Sequence, residues 1–408
     1  MGTIHVGQRV RQLRKMRHLT VRQLATRVAI STSLLEKIES GDRSPSPALL
    51  TRIAGELRVG PDRLTGQPYM NGAESEHAVQ AVIPELRRIC LTYDHPDDEV
   101  LAPRSLSALA VETERLSRLR QDGQYVAMGP PLPALLSELT HVALTSTGDE
   151  QRRAFGWLAR GYRATNSLAH KLGYHDLSLT AVERVHWAAD RAGDSLMQVT
   201  AAYLKAGAML RLGALGSARK LLEALVEEIE RLAPERALTT AQLAVQGAVL
   251  LKLAVVEARD GKPERAWERL ADARAAAGML GDDSTHYEMS FGPTNVRIHE
   301  IATLIDVGGT GEALARLREW GAEQGQDMWE LPVDLAAERA SHHHIDVAAA
   351  RLAEGDRGGA FVDLTAARRI SPAHTRFHPT ARHTAGTLMR LTRGNDEAVS
   401  AFAQWAGA

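Results

Sequence analysis

Between Gly7 and Leu64 basic side chains outnumber acidic ones and stand among small hydroxyls. Arg22, Lys37 and Arg43 suit phosphate oxygens, while Thr32 and Ser33 offer short hydroxyls of the kind that reach base edges. Residues 1–68 hold twelve Lys/Arg and five Asp/Glu, a net +7; the whole chain totals −1, which leaves −8 for the remainder. A basic module on a mildly acidic body is the electrostatic footprint of binding to double-stranded nucleic acid.

Patterns that would carry catalysis fail one by one. His299-Glu300 lacks the second His of a zinc protease, because Thr303 stands in its place. Gly308-Gly309-Thr310-Gly311 has no following Lys-Ser/Thr and falls in a turn between helices. His342-His343-His344 on a helix points its rings in different directions, so a metal site there would need distant partners. The single cysteine, Cys90, excludes an internal disulfide and any thiolate cluster, and its neighbours Leu86, Ile89 and Leu91 read it as a buried apolar thiol. No enzyme, cofactor or metal is expected.

The elements that must hold the basic residues are legible. Leu13, Leu24, Ala25, Val28, Ile30, Leu35, Ile38, Leu50, Ile53, Ala54 and Leu57 recur at three- and four-residue steps, which predicts five short helices. Thr20 is placed to cap a helix over Val21–Arg27, and Ser31 one over Thr32–Ser40 that Gly41 ends. With Leu35 and Ile38 facing inward, Thr32, Ser33, Glu36 and Lys37 face out. Two short helices joined by a tight turn are the unit that lays its second helix in the DNA major groove.

From Leu13 to Leu64 the order LRKMRHLTVRQLA, a turn, S-x-x-x-L-x-x-I-E-x-G, a Pro-containing loop and LLTRIAGEL resembles the Xre-type, lambda-repressor-like helix-turn-helix family. At the start of their helix Thr32 and Ser33 could reach base edges or simply cap the helix, while Lys37, Arg43 and Arg22 are better placed for phosphates. Val21 replaces the family's usual Gln, and Leu34 a more frequent polar residue, although a Leu can meet a thymine methyl. Glu39 resembles the family's buried Glu and reads as structural.

At 408 residues the chain is too long for one ordinary core. GQPYMNGAESEH (66–77) is a linker by composition. Ala78–Tyr93 reads as an amphipathic helix, HPDDEV interrupts it, and Pro103–Gln121 resumes helical periodicity. Beyond Leu132 the chain is Ala/Leu-rich helix broken by Gly, Pro or Asp, and no segment sustains β alternation, so the fold class is all-α. Ala181/Ala188, Ala266/Ala273 and Ala360/Ala367 are pairs seven residues apart. Ala218, Ala313 and Ala398 take the first slot where Leu225, Trp320 or Trp405 takes the second, at spacings of 37, 48, 47, 47 and 38. Small residues at these points let one helix press on the one before.

These marks resemble tetratricopeptide repeats with insertions, whose helix pairs stack into a right-handed α-solenoid with a concave face. The expected layout is 1–68 DNA-binding domain, 69–130 linker and connecting helices, and 131–408 repeats for sensing or dimerisation. The combination is similar to a large class of actinobacterial regulators and to the peptide-sensing quorum regulators of Gram-positive bacteria. In the family's register the concave face carries Arg163, Asn166, Ser167, His170, Thr200, Tyr203, Lys252, Asn295, His299, His342 and Asp346. They are expected to face solvent or a peptide or small-molecule effector, the alternative being a solvated or dimer-packed groove that binds nothing. The resulting expectation is a cytoplasmic, homodimeric transcriptional regulator with no membrane span. A protein-interaction adaptor using the groove, with the first module auxiliary, is the alternative.

Overall fold

Capping chemistry sets the first five helices: α1 Val6–Met16, α2 Val21–Arg27, α3 Thr32–Ser40, α4 Pro47–Leu57 and α5 Pro61–Thr65. The Thr20 hydroxyl accepts the Gln23 N–H at 3.1 Å, and Gln23 Oε1 in turn accepts the Thr20 N–H at 2.8 Å. Ser31 Oγ accepts the Leu34 N–H at 3.1 Å, and Gly41 closes α3 at φ 86°, a left-handed conformation that costs glycine nothing. Val10, Leu24, Leu35, Ile53 and Leu57 are fully buried and form the module's own core. The computed structural model describes residues 4–69, 79–95, 102–233 and 237–408. The sequence-predicted linker 66–77 and the HPDDEV interruption lie mostly outside the described residues.

Close packing of α1 on α3 depends on Gly7. A Cβ built there would sit 1.8 Å from the Ile38 carbonyl oxygen. Helix propensity alone favours Ala over Gly by up to about 1 kcal/mol, but backbone cannot swing aside as a side chain can. Gly7→Ala should therefore destabilise the module by about 1–3 kcal/mol, read as faster amide exchange in α1 and α3 of the whole chain. Unchanged or slower exchange would show that the two helices part without loss.

After α6 (Ile83–Leu91), α7 (Leu106–Gln121), α8 (Tyr125–Met128) and α9 (Leu132–Thr145) come six helical hairpins. They are α10 Gly148–Leu172 with α11 His175–Ala192, α12 Ser195–Arg211 with α13 Leu215–Arg231, and α14 Thr240–Arg259 with α15 Pro263–Leu280. Then follow α16 Pro293–Asp306 with α17 Thr310–Gln324, α18 Ala337–Ala353 with α19 Arg357–Ile370, and, after the short α20 (Pro372–Phe377), α21 Pro379–Leu391 with α22 Glu397–Ala406. Each hairpin turns through a glycine at positive φ: Gly173, Gly213, Gly261, Gly308, Gly355 and Gly394. Successive hairpins pack on one another, so the body is an all-α solenoid. Among the described residues β pairing amounts to one isolated bridge, Ser284 to Phe291.

The small-residue reading holds for five hairpins: Ala181, Ala188, Ala218, Ala266, Ala273, Ala313, Ala360 and Ala367 are fully buried. It fails in the sixth. Ala398 is exposed, and Val399, Phe402, Ala403 and Ala406 point inward instead. Asp396 caps α22 by accepting the Val399 N–H at 3.0 Å, and the apolar row at Val399, Phe402, Ala403 and Ala406, spaced three and four apart, turns to the core in place of Ala398. Cys90 is fully buried, and burial pushes its thiol up to about 12. Thr240–Arg259 is long and apolar enough to cross a membrane by length and composition, but most of it lies inside the protein as the central core helix.

The array curls until its two ends meet. Ser371 Oγ donates to the Asp122 carbonyl at 3.1 Å, and Tyr125 Oη lies 3.3 Å from His374 Nδ1. The N-terminal module docks on the last helices. Arg390 Nε on α21 donates to the Gly41 carbonyl at 2.9 Å, and Ser44 Oγ pairs with Thr387 Oγ1 at 3.0 Å.

Candidate functional site

Two sites follow from this arrangement. On the module, α3 presents Thr32, Ser33, Glu36 and Lys37 to solvent, and Arg22 is exposed at the start of α2. Because Ser31 caps α3, the Thr32 and Ser33 hydroxyls are not needed for capping. Arg14 and Glu39 lock α1 to α3 beneath this face: Arg14 Nε and Nη2 donate to the two carboxylate oxygens at 2.6 and 2.8 Å, both side chains being buried. The expected structural role of Glu39 is the one the geometry gives it.

Two residues expected at the nucleic acid have other partners in the structure. Arg43 is half-buried, and its Nη1 donates to the Ala353 carbonyl at the end of α18 at 2.5 Å, which commits it to docking the module. Leu34 is half-buried against the module's core, so little of it is left for a thymine methyl. The seat itself was invisible in the sequence. A cavity of about 440 Å³ separates module from α21, with Arg9, Arg43, Tyr69, Arg382 and Arg390 in its walls.

The second site is the interior of the solenoid. Arg163, Asn166, Ser167, His170, Tyr203, Asn295, His299 and His342, drawn from four hairpins, line one cavity of about 280 Å³. Lys252 stacks its ammonium 3.7 Å from the Tyr203 ring centre. Asp346 does not line the cavity but stands behind His342, with Oδ2 3.5 Å from its Nε2, and Thr200 lines a neighbouring one, where its hydroxyl bonds back to the Leu196 carbonyl.

Several of these side chains are not solvated, contrary to the expectation for the groove. Asn295 is 3% exposed, and its Nδ2 donates to the Ser290 carbonyl while Oδ1 has no partner. Asn166 Oδ1 accepts from Ser178 at 2.8 Å. Arg163 donates to the Tyr287 and Glu288 carbonyls at 2.6 and 2.8 Å. For Asn295 and Arg163 the reason is the 281–292 loop, which enters the groove and fills part of it. Burial lowers His170 well below the ordinary histidine range and His299 to about 3, so both rings are neutral.

Charged residues the repeat register did not assign also line this cavity: Arg120, Lys171, Arg211, Glu288, Glu338 and Arg339. Arg120 and Glu288 come from outside the hairpins, from α7 and the inserted loop. Lys171 and Arg211 lie past the last register position used on their helices. Glu338 and Arg339 lie before the first, because α18 begins at Ala337. Extending the inward stripe by a helical turn at each end would have found those four. Burial pushes the Glu288 carboxyl up, but Arg120, Arg163 and Arg160 together bring it down to about 2. For Glu338, burial is likewise overcome by Lys171, 2.5 Å away, and the carboxyl falls to about 2.

Residues 5–65 match the helix-turn-helix domain family. The uncharacterized HTH-type transcriptional regulator RghRB of Bacillus subtilis (strain 168) is 39% identical over 82 residues, 20% of this chain and 53% of that protein, so the chain spans about half of that relative's length. The uncharacterized HTH-type transcriptional regulator YazB of the same organism is 38% identical over 58 residues, 14% of this chain and 84% of YazB. Among solved structures, Bacillus thuringiensis PlcR in complex with the peptide PapR7 and DNA covers 79% of this chain at 13% identity, with 98% of its own chain covered and a TM-score of 0.32. At that score the likeness carries no argument about ligand or mechanism. The N-terminal relatives are decisive: this chain belongs to the HTH-type transcriptional regulators.

Proposed function

We propose that the chain binds duplex DNA sequence-specifically as a homodimer and regulates transcription in response to a small acidic effector held in the solenoid. The observation that carries the DNA reading is the outward N-terminal turn of α3, with Thr32, Ser33 and Lys37 exposed on a +7 module while Ser31 does the capping. Dimerisation is expected because one small module makes few contacts and a two-fold operator doubles them. The effector class follows from charge and size. Arg120, Arg163, Lys171, Arg211 and Arg339 face only Glu288 and Glu338 across about 280 Å³. That volume is small for an extended peptide and suits a carboxylate-bearing small molecule or a peptide's last residue.

The same cavity wall includes α18, whose end holds Arg43. A ligand that binds one arrangement of α18 better than another would shift how the module is seated, and so the spacing of two modules on DNA. The inserted loop disfavours an adaptor that threads a partner's segment through the groove.

Fluorescence anisotropy with genomic duplex fragments tests the DNA reading. Arg22→Ala with Lys37→Ala should weaken binding at least 10-fold and flatten the salt dependence by about two phosphate contacts. Undiminished binding by the double variant would overturn this interface, and no binding by the native chain to any fragment would overturn the reading.

A further inference from the structure

Three imidazoles converge where the last hairpins meet. His342 lies on α18, His374 on α20, and His378 joins α20 to α21 one helical turn after His374. One ring nitrogen of each comes within 4.8 Å of those of the other two, and the ring centres are 4.9, 5.3 and 5.7 Å apart. His374 is 1% exposed, and its Nε2, like Nδ1 of His378, is buried with no hydrogen-bond partner. Leaving such a group unpaired costs about 1–3 kcal/mol.

The geometry assigns this cluster as a binding site for a divalent transition-metal ion of the zinc class, held by His342, His374 and His378. Neutral imidazole suits zinc, cobalt, nickel and copper and not magnesium or calcium. A tetrahedral ion with bonds of about 2.0–2.1 Å spaces its ligands roughly 3.4 Å apart, so the rings need close by no more than about 1.4 Å from where they stand. The Asp346 carboxylate, one turn along α18, lies 3.5 Å from His342 Nε2 and orients that ring.

Outer contacts fit the same assignment. With Nε2 of His374 turned to the ion, its Nδ1 faces Tyr125 Oη at 3.3 Å, a contact that orients the ring. The Lys171 ammonium lies 3.5 Å from that nitrogen but is neutralised by Glu338. The ion would tie α18 to the start of α21, the helix whose Thr387 and Arg390 hold the DNA-binding module.

The test uses the untagged full-length chain, stripped with a chelator and titrated with Co(II) and Zn(II). One ion per chain is expected, with the intense visible absorption of low-coordinate Co(II). His342→Ala and His378→Ala should each weaken binding at least 100-fold, while His344→Ala, whose ring pairs with Asp363 at 2.8 Å, should leave it unchanged. Circular dichroism of the metal-free variants checks their fold, and either variant that folds suffices. A native chain that takes up no stoichiometric Co(II) at micromolar concentration overturns the assignment without reference to any variant. So does undiminished binding by a folded His342→Ala or His378→Ala protein.

Discussion

Glu288→Gln should destabilise the solenoid by about 3–5 kcal/mol, the cost of removing one partner from a buried charge cluster. Three guanidiniums depend on this carboxylate: Arg120 at 2.8 Å, Arg160 at 2.7 Å and Arg163 at 3.6 Å. The Gln amide keeps the shape and loses the counter-charge. The loop is also held against its own preference, with Tyr287 and Glu288 both at positive φ, 51° and 56°. Non-glycine residues there cost about 1–2 kcal/mol each, a cost the ion cluster offsets. The loop should therefore leave the groove in the variant, read as new protease cleavage within 281–292 and a lower Tm. A variant with native Tm and an intact loop would show that the hydrogen bonds, not the charge, hold it.

The same group gives a pH signature. Its carboxyl is near 2 when folded and about 4.3 when unfolded. A lowered folded value means that the stabilisation is complete above about pH 4.5 and disappears as pH falls towards 2; it amounts to about 3 kcal/mol. Glu338, also near 2, loses its contribution over the same window. Glu288→Gln should flatten the decline in the denaturation midpoint between pH 5 and 2 without abolishing it. An unchanged slope would remove Glu288 from this role.

Arg14→Met should do to the DNA-binding module what Glu288→Gln does to the solenoid. Arg14 holds both oxygens of buried Glu39 and donates through Nη1 to the Leu19 carbonyl at 2.7 Å. Without it a carboxylate is left in a small core, at about 3–5 kcal/mol, comparable to everything a module of this size has. The module should unfold locally, with rapid amide exchange in α1 to α5, while the helical hairpins keep theirs. DNA affinity should fall by more than a hundredfold. Adding Glu39→Leu should restore much of the protection, because the charge is then gone as well as its partner. If Arg14→Met alone leaves exchange unchanged, the pair is not what joins α1 to α3.

Local rules made the module legible from its residues. Thr20, Ser31 and Gly41 act within a few positions of themselves, so caps, helix bounds and the outward set Thr32, Ser33, Glu36 and Lys37 could be read without knowing what lies nearby. The hairpins and most of the groove-facing stripe were legible for the same reason: helical period and small-residue slots are nearest-neighbour properties. Ala398 was misplaced because the larger apolar row of Val399 and Phe402 beside it, and not the small-residue slot, sets the buried face of α22.

Contacts between residues distant in the chain decided the rest. Arg43 reads as a phosphate ligand until α18 brings the Ala353 carbonyl to it across 310 positions. Asn295 reads as solvated until the 281–292 loop folds over it, and Glu288 is featureless in sequence until α7 and α10 surround it with three arginines. His342 has no useful partner in its own triplet; packing of α20 and α21 on α18 brings His374 and His378 to it. Burial and counter-charge belong to the packed assembly, so sequence period shows which way a residue points but not what it meets there.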